Sequence, residues 1–320
     1  MSLRVLAAGT HSLVVDGGRP ATRGLGVPVG GPADHAALML GNALVGNPSL
    51  VPALEITLGG PTLMAETDVG ACVFGAPFRL DRDGEPLPIG YTFTLQKGQT
   101  LHVGGTPHGC RAYLCVPGGF RAKRVLDSCT AFAPVRAGDV LECQSSRLPA
   151  RGLAWGQTSG LSDLSDPGDS SPIPEVPKDR PEVCPHVLRC LPGPQADWFD
   201  DAFYSHTYRV IPASNRMGVR LDGPPLVLPK RELVSEPVAP GAIQVTNDGK
   251  PIVLGVDGQT IGGYPKVAHV IAVDLDALGQ LRPGAGVRFQ LVQEQEAEEA
   301  AGRRREELAR WLRRIAVAVG

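Results

Sequence analysis

The chain has 320 residues, of which 42% are hydrophobic, so it can form two domains of ordinary size with buried cores. Its 40 glycines, 30 prolines and 5% aromatic content indicate short strands joined by tight turns and argue against a helical bundle. A formal net charge of -2, without a basic stripe, argues against a nucleic-acid partner or an anionic membrane surface.

Neither a membrane span nor a disulfide framework is indicated. No apolar run approaches the ~20 residues of a spanning helix, and the N-terminal segment lacks a long apolar core. We therefore expect a soluble, cytoplasmic protein that does not insert into a membrane. The seven cysteines form an odd set without a Cys-x-x-Cys pair, which favours reduced, buried thiols and predicts no metal site.

Residues 24–34 form a glycine–proline loop without the spacing of a phosphate-binding loop. The helical pattern at 36–45 follows it, and Asp34 stands at the position of an N-cap. Asp34 either caps the helix alone or also faces a ligand, and the sequence leaves both readings open.

Short strands bounded by glycine, proline or aspartate follow the helix. The first, 54–58, alternates in polarity and places Glu55 and Thr57 on one face. Further strands are predicted at 69–74, 92–95, 100–103, 111–116 and 140–143. This close spacing favours a β-barrel or a β-sandwich.

A segment rich in proline, serine and aspartate divides the chain. We predict an N-terminal β domain at 1–150, a linker at 151–185 and a C-terminal β domain at 186–293. Residues 294–320 show the 3.6-residue periodicity of an amphipathic helix, with Leu308, Trp311 and Ile315 on its apolar face.

Two arginines in the second half could bind a carboxylate. Arg216 and Arg220 lie four residues apart and could clamp such a group in a forked geometry. In the alternative they brace their loop by pairing with Glu232 or Glu236. His269 lies in a nearly uninterrupted apolar run and is more simply a core residue than a base.

The stretch 235–266 is the most informative part of the chain. The turn signal at 247–249 between two apolar runs predicts a β-hairpin, and residues 257–266 then form an unusually polar loop. Its chemically useful residues are Asp257, Gln259, Thr260, Gly262, Gly263, Tyr264 and Lys266. The glycine pair would let backbone N–H groups approach a bound group closely. The loop therefore predicts one wall of a polar pocket, the alternative being a turn whose side chains satisfy their own backbone.

Several stretches together resemble one known family. They are GVPVGGPADHAALMLGNALVGNP, ALEITLGGPTL, RAYLCVPGGF, SNRMGVRLDGPPL and the run 235–275. In this order they resemble the biotin-dependent carboxyltransferase family, which contains the C subunit of 5-oxoprolinase, the antagonist of the sporulation-kinase inhibitor, the second subunit of allophanate hydrolase and part of urea carboxylase. The resemblance implies an all-β fold of two cyclophilin-like barrels with short helices.

The resemblance also implies an activity. It is the ATP-dependent opening of the lactam 5-oxoproline to glutamate, carried out in a complex with the B and A subunits of 5-oxoprolinase and not by this chain alone. ATP would be supplied through the complex, since the chain has no phosphate loop and no biotinyl attachment site. One alternative is carboxyl transfer to urea or a related amide, with carboxybiotin from a partner. Another is a non-catalytic regulator that binds a partner protein.

Site residues follow from the resemblance. Gln259, Thr260 and Lys266 would donate hydrogen bonds to the amide oxygen, and Asp257 would orient the substrate or accept a proton. Arg216 would hold the substrate carboxylate. The remaining predicted substrate-binding residues are Gln244, Gly262, Gly263, Tyr264, Asp34 and Glu55.

The chain departs from the family pattern in three places. Residues 31–34 replace Gly-Ala-Met-Asp, residues 127–130 replace a Gly-Ser-Arg-Ser-Thr-like run, and Gly258 replaces a commoner arginine. These changes reduce the number of cationic groups, which predicts a different substrate or a lower activity.

Overall fold

The computed structural model describes residues 2–153 and 185–319, which fall into two compact units. The first unit comprises 2–18, 34–153 and 306–319, and the second comprises 19–33 and 185–305. The sequence-based boundaries placed 19–33 in the first domain. This segment instead packs in the second unit, where the Gly30 N–H donates to the Val256 carbonyl at 2.9 Å. Nearly all of the predicted linker lies outside the described residues.

The first unit is built from strands, the short helix α1 (His35–Leu44) and the C-terminal part of a long helix. Its strands are β1 (Ser2–Ala7), β2 (His11–Val15), β3 (Ala53–Thr57), β4 (Thr62–Ala65), β5 (Val69–Gly75), β6 (Leu80–Arg82), β7 (Glu85–Leu87), β8 (Thr92–Leu95), β9 (Thr100–Val103), β10 (Arg111–Cys115) and β11 (Val140–Glu142). They form a sheet in the order β11-β1-β4-β9-β6-β7 and a second in the order β2-β3-β10-β5-β8. The strands predicted from the sequence are confirmed to within a residue at each end.

The helix α1 packs against the five-stranded sheet of the first unit. Asp34 is its N-cap, and the carboxylate accepts the Ala37 N–H at 2.9 Å. The apolar side of α1 shares a buried cluster with Phe74, Trp311 and Ile315. Burying each such side chain contributes about 2 kcal/mol, so the cluster fixes the start of α1, and with it Asp34, in the fold.

The second unit contains a closed barrel of seven strands in the order β12-β19-β16-β17-β14-β13-β20. The strands of this unit are β12 (His186–Pro192), β13 (Tyr208–Val210), β14 (Gly218–Asp222), β15 (Glu236–Pro237), β16 (Ala242–Val245), β17 (Pro251–Leu254), β18 (Ile261–Gly262), β19 (Lys266–Val270) and β20 (Gly286–Leu291). Strands β15 and β18 form a separate two-stranded sheet. The all-β fold class is thus confirmed.

Local chemistry explains the barrel and its hairpin. Phe203 and Phe289 stack in the interior with ring centroids 4.9 Å apart. Strands β16 and β17 pair antiparallel, as predicted, and Gly249 in their connection has φ of 77°, a conformation that glycine adopts without steric cost. Short helices α2 (Ala202–Ser205) and α3 (Leu275–Gly279) complete the unit.

The long helix α4 (Glu294–Val319) has the bounds predicted from the sequence, except for the final residue. Among the helices described here, none is long and apolar enough to span a bilayer. The six described cysteines are all buried, as expected, and none of these six forms a disulfide. Burial raises the pKa of the Cys72 and Cys115 thiols, which makes them poor nucleophiles.

Candidate functional site

The Lys266 ammonium is the best-defined charged group of the polar loop. Its side chain is only 5% exposed, and Nζ lies 2.5 Å from Glu236 Oε1. Nζ also donates to the Tyr264 carbonyl at 3.3 Å, and Gln195 Nε2 donates to Glu236 at 3.0 Å. Hydrogen bonds from Lys266 and then Gln195 lower the pKa of Glu236, which stays ionised as the partner of the ammonium. The lysine is therefore held as a cation in a fixed position.

The backbone around Lys266 is fixed by a neighbouring turn. The Lys266 N–H donates to Gln195 Oε1 at 2.9 Å, and the Gln195 N–H donates to the Lys266 carbonyl at 3.2 Å. A Cβ at Gly193 would lie 2.2 Å from that carbonyl oxygen, so the turn can approach the strand only with glycine there. Gln195 was not predicted from the sequence, since it lies about 70 residues before the loop and carries no local signal.

A β-bulge brings Gln244 beside the lysine. Strands β16 and β19 pair Gln244 with Lys266, and their register shifts between Ile243 and Gln244. Bulges re-aim side chains, and they are common near active sites. Gln244 is 2% exposed and accepts from Gln259 Nε2 at 3.3 Å, whereas its own Nε2 has no hydrogen-bond partner within the described ranges. A buried amide donor is thus left available next to a buried cation.

The glycine pair of the loop serves this arrangement. A Cβ at Gly262 would lie 2.4 Å from Gln244 Nε2, and one at Gly263 would lie 3.2 Å from Ser235 Oγ. Gly262 pairs with Glu236 between β18 and β15. Glycine at 262 therefore leaves room for the Gln244 amide, a different reason from the predicted approach of backbone N–H groups to a ligand, which stays a prediction.

A cleft of 280 Å³ lies beside this cluster in the second unit. Lys266, His269 and Arg23 line it, and its other walls are the apolar side chains of Pro194, Pro237, Val238, Ala239, Ala242 and Ala268. His269 Nδ1 lies 2.9 Å from the Val270 carbonyl. Because a carbonyl oxygen only accepts, Nδ1 carries the proton in this contact, and Nε2 is an acceptor whenever the ring is neutral. The cleft thus combines donors, one acceptor and apolar walls.

Arg23 lines the same cleft and was not among the site residues predicted from the sequence. It begins a short 3-10 helix, Arg23–Leu25, within the glycine–proline loop. Its Nη1 and Nη2 atoms are buried, and neither has a hydrogen-bond partner in the described part of the chain. The one available signal was its position directly before residues 24–33, which are all glycine, proline or apolar.

Arg216 and Asp257 bind each other. Arg216 Nε lies 2.7 Å from Asp257 Oδ2, and Nη2 lies 3.0 Å from Oδ1. Nη2 also donates to the Gly31 carbonyl at 2.7 Å. Glu236, one of the two glutamates considered as a partner of these arginines, pairs with Lys266. Arg216 therefore connects the polar loop to the glycine–proline loop, through the two-point ion pair with Asp257 and the hydrogen bond to Gly31.

Thr260 and Tyr264 flank the glycine pair differently. Thr260 is 8% exposed, and its carbonyl accepts the Val238 N–H at 2.9 Å. Tyr264 is 37% exposed and contributes its carbonyl to Lys266. Their predicted roles toward a substrate remain predictions.

Asp34 and Glu55 belong to the first unit, where they join a buried network. Tyr113 Oη donates to Glu55 Oε2 at 2.8 Å and accepts the Asp34 N–H at 2.8 Å, while Arg111 Nε lies 3.4 Å from Glu55 Oε1. Burial, and then the charge of Glu55, raises the pKa of Tyr113 well above its usual value. The contacts of both carboxylates are those of structural residues, and their predicted substrate contacts remain predictions.

No cluster of three or more metal-binding side chains occurs within 2–153 and 185–319.

The chain matches the family described as carboxyltransferase domain, subdomain A and B, across residues 25–291. It is 36% identical over 299 residues to the C subunit of the 5-oxoprolinase of Escherichia coli, covering 90% of each chain. It is 34% identical over 301 residues to the corresponding protein from Haemophilus influenzae, covering 92% of each. The crystal structure of the Kluyveromyces lactis urea amidolyase matches with a TM-score of 0.80 at 28% identity, covering 97% of this chain and 20% of that one. The chain therefore belongs to the carboxyltransferase domain family.

Proposed function

We propose that this chain is the C subunit of an ATP-dependent 5-oxoprolinase, whose complex with the A and B subunits opens 5-oxoproline to glutamate. Its similarity over nearly its full length to the C subunits of two 5-oxoprolinases supports the proposal. The structural observation that carries it is a buried ammonium, Lys266, beside a buried amide donor, Gln244, that lacks a partner in the described residues.

These two donors suit the chemistry of a lactam. When water adds to the carbonyl carbon, negative charge develops on the carbonyl oxygen, and preorganised donors stabilise that charge. The C–N bond then breaks, and the departing nitrogen takes up a proton. Lys266 supplies a fixed cation and Gln244 a fixed N–H, and Gln259 orients the Gln244 amide through its oxygen.

The Arg216–Asp257 pair has a positioning role in this proposal. Both oxygens of Asp257 are engaged by Arg216, and the pair holds the loop that carries Gln259. ATP provides the driving force and binds through the partner proteins, because this sequence contains no phosphate loop.

Substitution of Lys266 tests the catalytic role. In the complex reconstituted with the A and B subunits, Lys266→Met should lower the rate of glutamate formation by about 100-fold, because a cation at the developing oxyanion is lost. Lys266→Arg should restore part of the rate. Lys250→Met is the matched control, since Lys250 contacts Asp222 and the Gly223 carbonyl, away from the cleft but in the same unit. Full turnover by Lys266→Met in an intact complex would remove the lysine from the mechanism.

A second candidate is carboxyl transfer to urea or a related amide, which the match to the urea amidolyase structure favours. The same preparation, assayed with urea and carboxybiotin supplied by a partner, distinguishes the two. Carboxylated urea without any glutamate from 5-oxoproline would favour this candidate. A purely regulatory role would instead leave turnover unchanged in Lys266 and Asp257 variants that no longer assemble.

A further inference from the structure

We propose that Arg23 is the binding residue for a carboxylate in the cleft shared with Lys266 and His269, and that it holds the carboxylate of the lactam substrate. The identity of the ligand as 5-oxoproline rests on the proposed function. Its chemical class, a small molecule with one carboxylate, rests on the cleft itself.

The terminal nitrogens of the Arg23 guanidinium lack acceptors among the described residues. Nη1 and Nη2 of Arg23 are both buried, yet neither has a hydrogen-bond partner in the part of the chain that the structure describes. A buried cationic group without acceptors is unfavourable, because it has lost water and gained nothing in return. A carboxylate presents two oxygens in the spacing that a guanidinium fork matches, so one bound carboxylate would satisfy both nitrogens.

The charges that line the cleft favour an anionic ligand. Two of its lining residues, Arg23 and Lys266, are cationic, and none of the described lining residues is acidic. The Lys266 charge is already balanced by Glu236 at 2.5 Å. The Arg23 charge is therefore the one left to be balanced at this cleft, which calls for a single negative charge on the ligand.

Arg216, the residue predicted from the sequence to hold the carboxylate, is already engaged by other groups. Its guanidinium is engaged by both oxygens of Asp257 and by the Gly31 carbonyl. An incoming carboxylate would have to displace Asp257 from this two-point pair. Arg23 requires no such displacement, so the carboxylate site moves to the cleft.

The remaining walls indicate the rest of the ligand. Pro194, Pro237, Val238 and Ala239 present apolar surface, and the volume of 280 Å³ suits a small molecule. Lys266 links the cleft to the donors described above. A small ring with methylene groups, one amide and one carboxylate meets all of these features.

Titration calorimetry tests this inference on the full chain and on the reconstituted complex. 5-Oxoproline should bind at least 10-fold more tightly than 2-pyrrolidinone, the same ring without its carboxylate. Arg23→Gln should abolish that difference, and Arg288→Gln, which removes an exposed arginine of the same unit, should preserve it. Equal affinity for the two lactams in wild type, no binding of either one, or an unchanged preference in Arg23→Gln would overturn the inference.

Competing ions define the class of ligand. Acetate should displace 5-oxoproline in an Arg23-dependent manner, and inorganic phosphate should do so less well. Stronger competition by phosphate would overturn the assignment to a carboxylate. If Arg23→Gln does not fold, the comparison of the two lactams on the wild-type chain still tests whether the carboxylate of the ligand contributes to binding.

The melting temperature distinguishes a ligand-binding arginine from a structural one. Without ligand, Arg23→Gln should unfold at the same temperature as wild type or a higher one, and it should lose the upward shift that 5-oxoproline causes. A lower melting temperature of the free variant would show Arg23 to be a structural brace instead.

The two proposals can fail separately. If the complex does not convert 5-oxoproline but acetate binds in an Arg23-dependent manner, only the proposed function fails. If the complex converts 5-oxoproline and Arg23→Gln changes neither its KM nor its kcat, only the inference fails.

Discussion

Two buried charges, one in each unit, differ in how completely the chain satisfies them. In the first unit, Asp16 accepts hydrogen bonds from Ser128 Oγ at 2.5 Å, Cys129 N at 2.6 Å, Thr130 Oγ1 at 2.8 Å and Gly18 N at 3.0 Å. In the second unit, the Nη atoms of Arg23 have no partner among the described residues. A charge that the fold completes is structural, whereas one that the fold leaves incomplete marks a place for a ligand.

The pKa of Asp16 reflects this difference. Burial alone would raise it, but the hydrogen bonds from Ser128, Cys129, Gly18 and Thr130 outweigh burial and hold it below its usual value. The run 127–130 departs from the family pattern, and in this fold its polar groups close over Asp16. The residues that depart from the family pattern therefore have a structural role in the first unit, since they donate hydrogen bonds to Asp16.

The largest expected effect on stability comes from changing a buried charged pair of the first unit. Glu55→Gln keeps the shape of the side chain but removes the negative charge that lies 3.4 Å from the buried Arg111 Nε. We expect a loss of about 3 kcal/mol in the free energy of unfolding, as for other broken buried pairs. Urea denaturation measures it. Glu85→Gln, at an exposed pair with Arg82, is the control and should change stability by less than about 0.5 kcal/mol.

Asp16→Asn should cost about 2 kcal/mol at pH 7, because an amide cannot accept from all four donors. The folded pKa of Asp16 lies below its unfolded value, so its contribution is full above about pH 4 and is lost as the pH falls through the folded pKa. The stability difference between wild type and variant should therefore shrink as the pH falls from about 4 through the lower, folded pKa. A difference that stays constant over this range, measured by denaturation at successive pH values, would contradict the assignment.

The smallest effect on stability, and a large one on function, is expected at Gly262. An added Cβ would meet the end of the flexible Gln244 side chain, which can rotate away, so Gly262→Ala should cost less than about 1 kcal/mol. Rotation would remove the amide donor from the site, and turnover by the complex should fall by at least 10-fold. Gly302→Ala, at an open position in α4, is the control. Normal turnover by Gly262→Ala would separate Gln244 from the reaction.

Most of the fold could be predicted from the sequence because its signals are local. The alternation of polar and apolar residues, together with flanking glycines and prolines, located the strands. The Asn-Asp-Gly turn located the β16–β17 hairpin, and Asp34 located the start of α1. The two-stranded sheet of β15 and β18 was not predicted, since strands of two residues carry no periodicity.

The site could be predicted only in part. The polar loop indicated Lys266 and Gln259, whose side chains do meet buried partners. The partners themselves, Glu236 and Gln195, lie 30 and about 70 residues away, and the bulge that aims Gln244 depends on how two strands pair. Arg23 reaches the cleft only because its loop packs in the second unit, which no local pattern indicates.

A crystal structure of the full chain with 5-oxoproline would test the central claim most directly. The account predicts the carboxylate within hydrogen-bonding distance of both Nη atoms of Arg23, with the lactam oxygen toward Lys266 and Gln244. A carboxylate bound to Arg216 with the Asp257 pair broken, or a ligand seated away from the cleft, would contradict it.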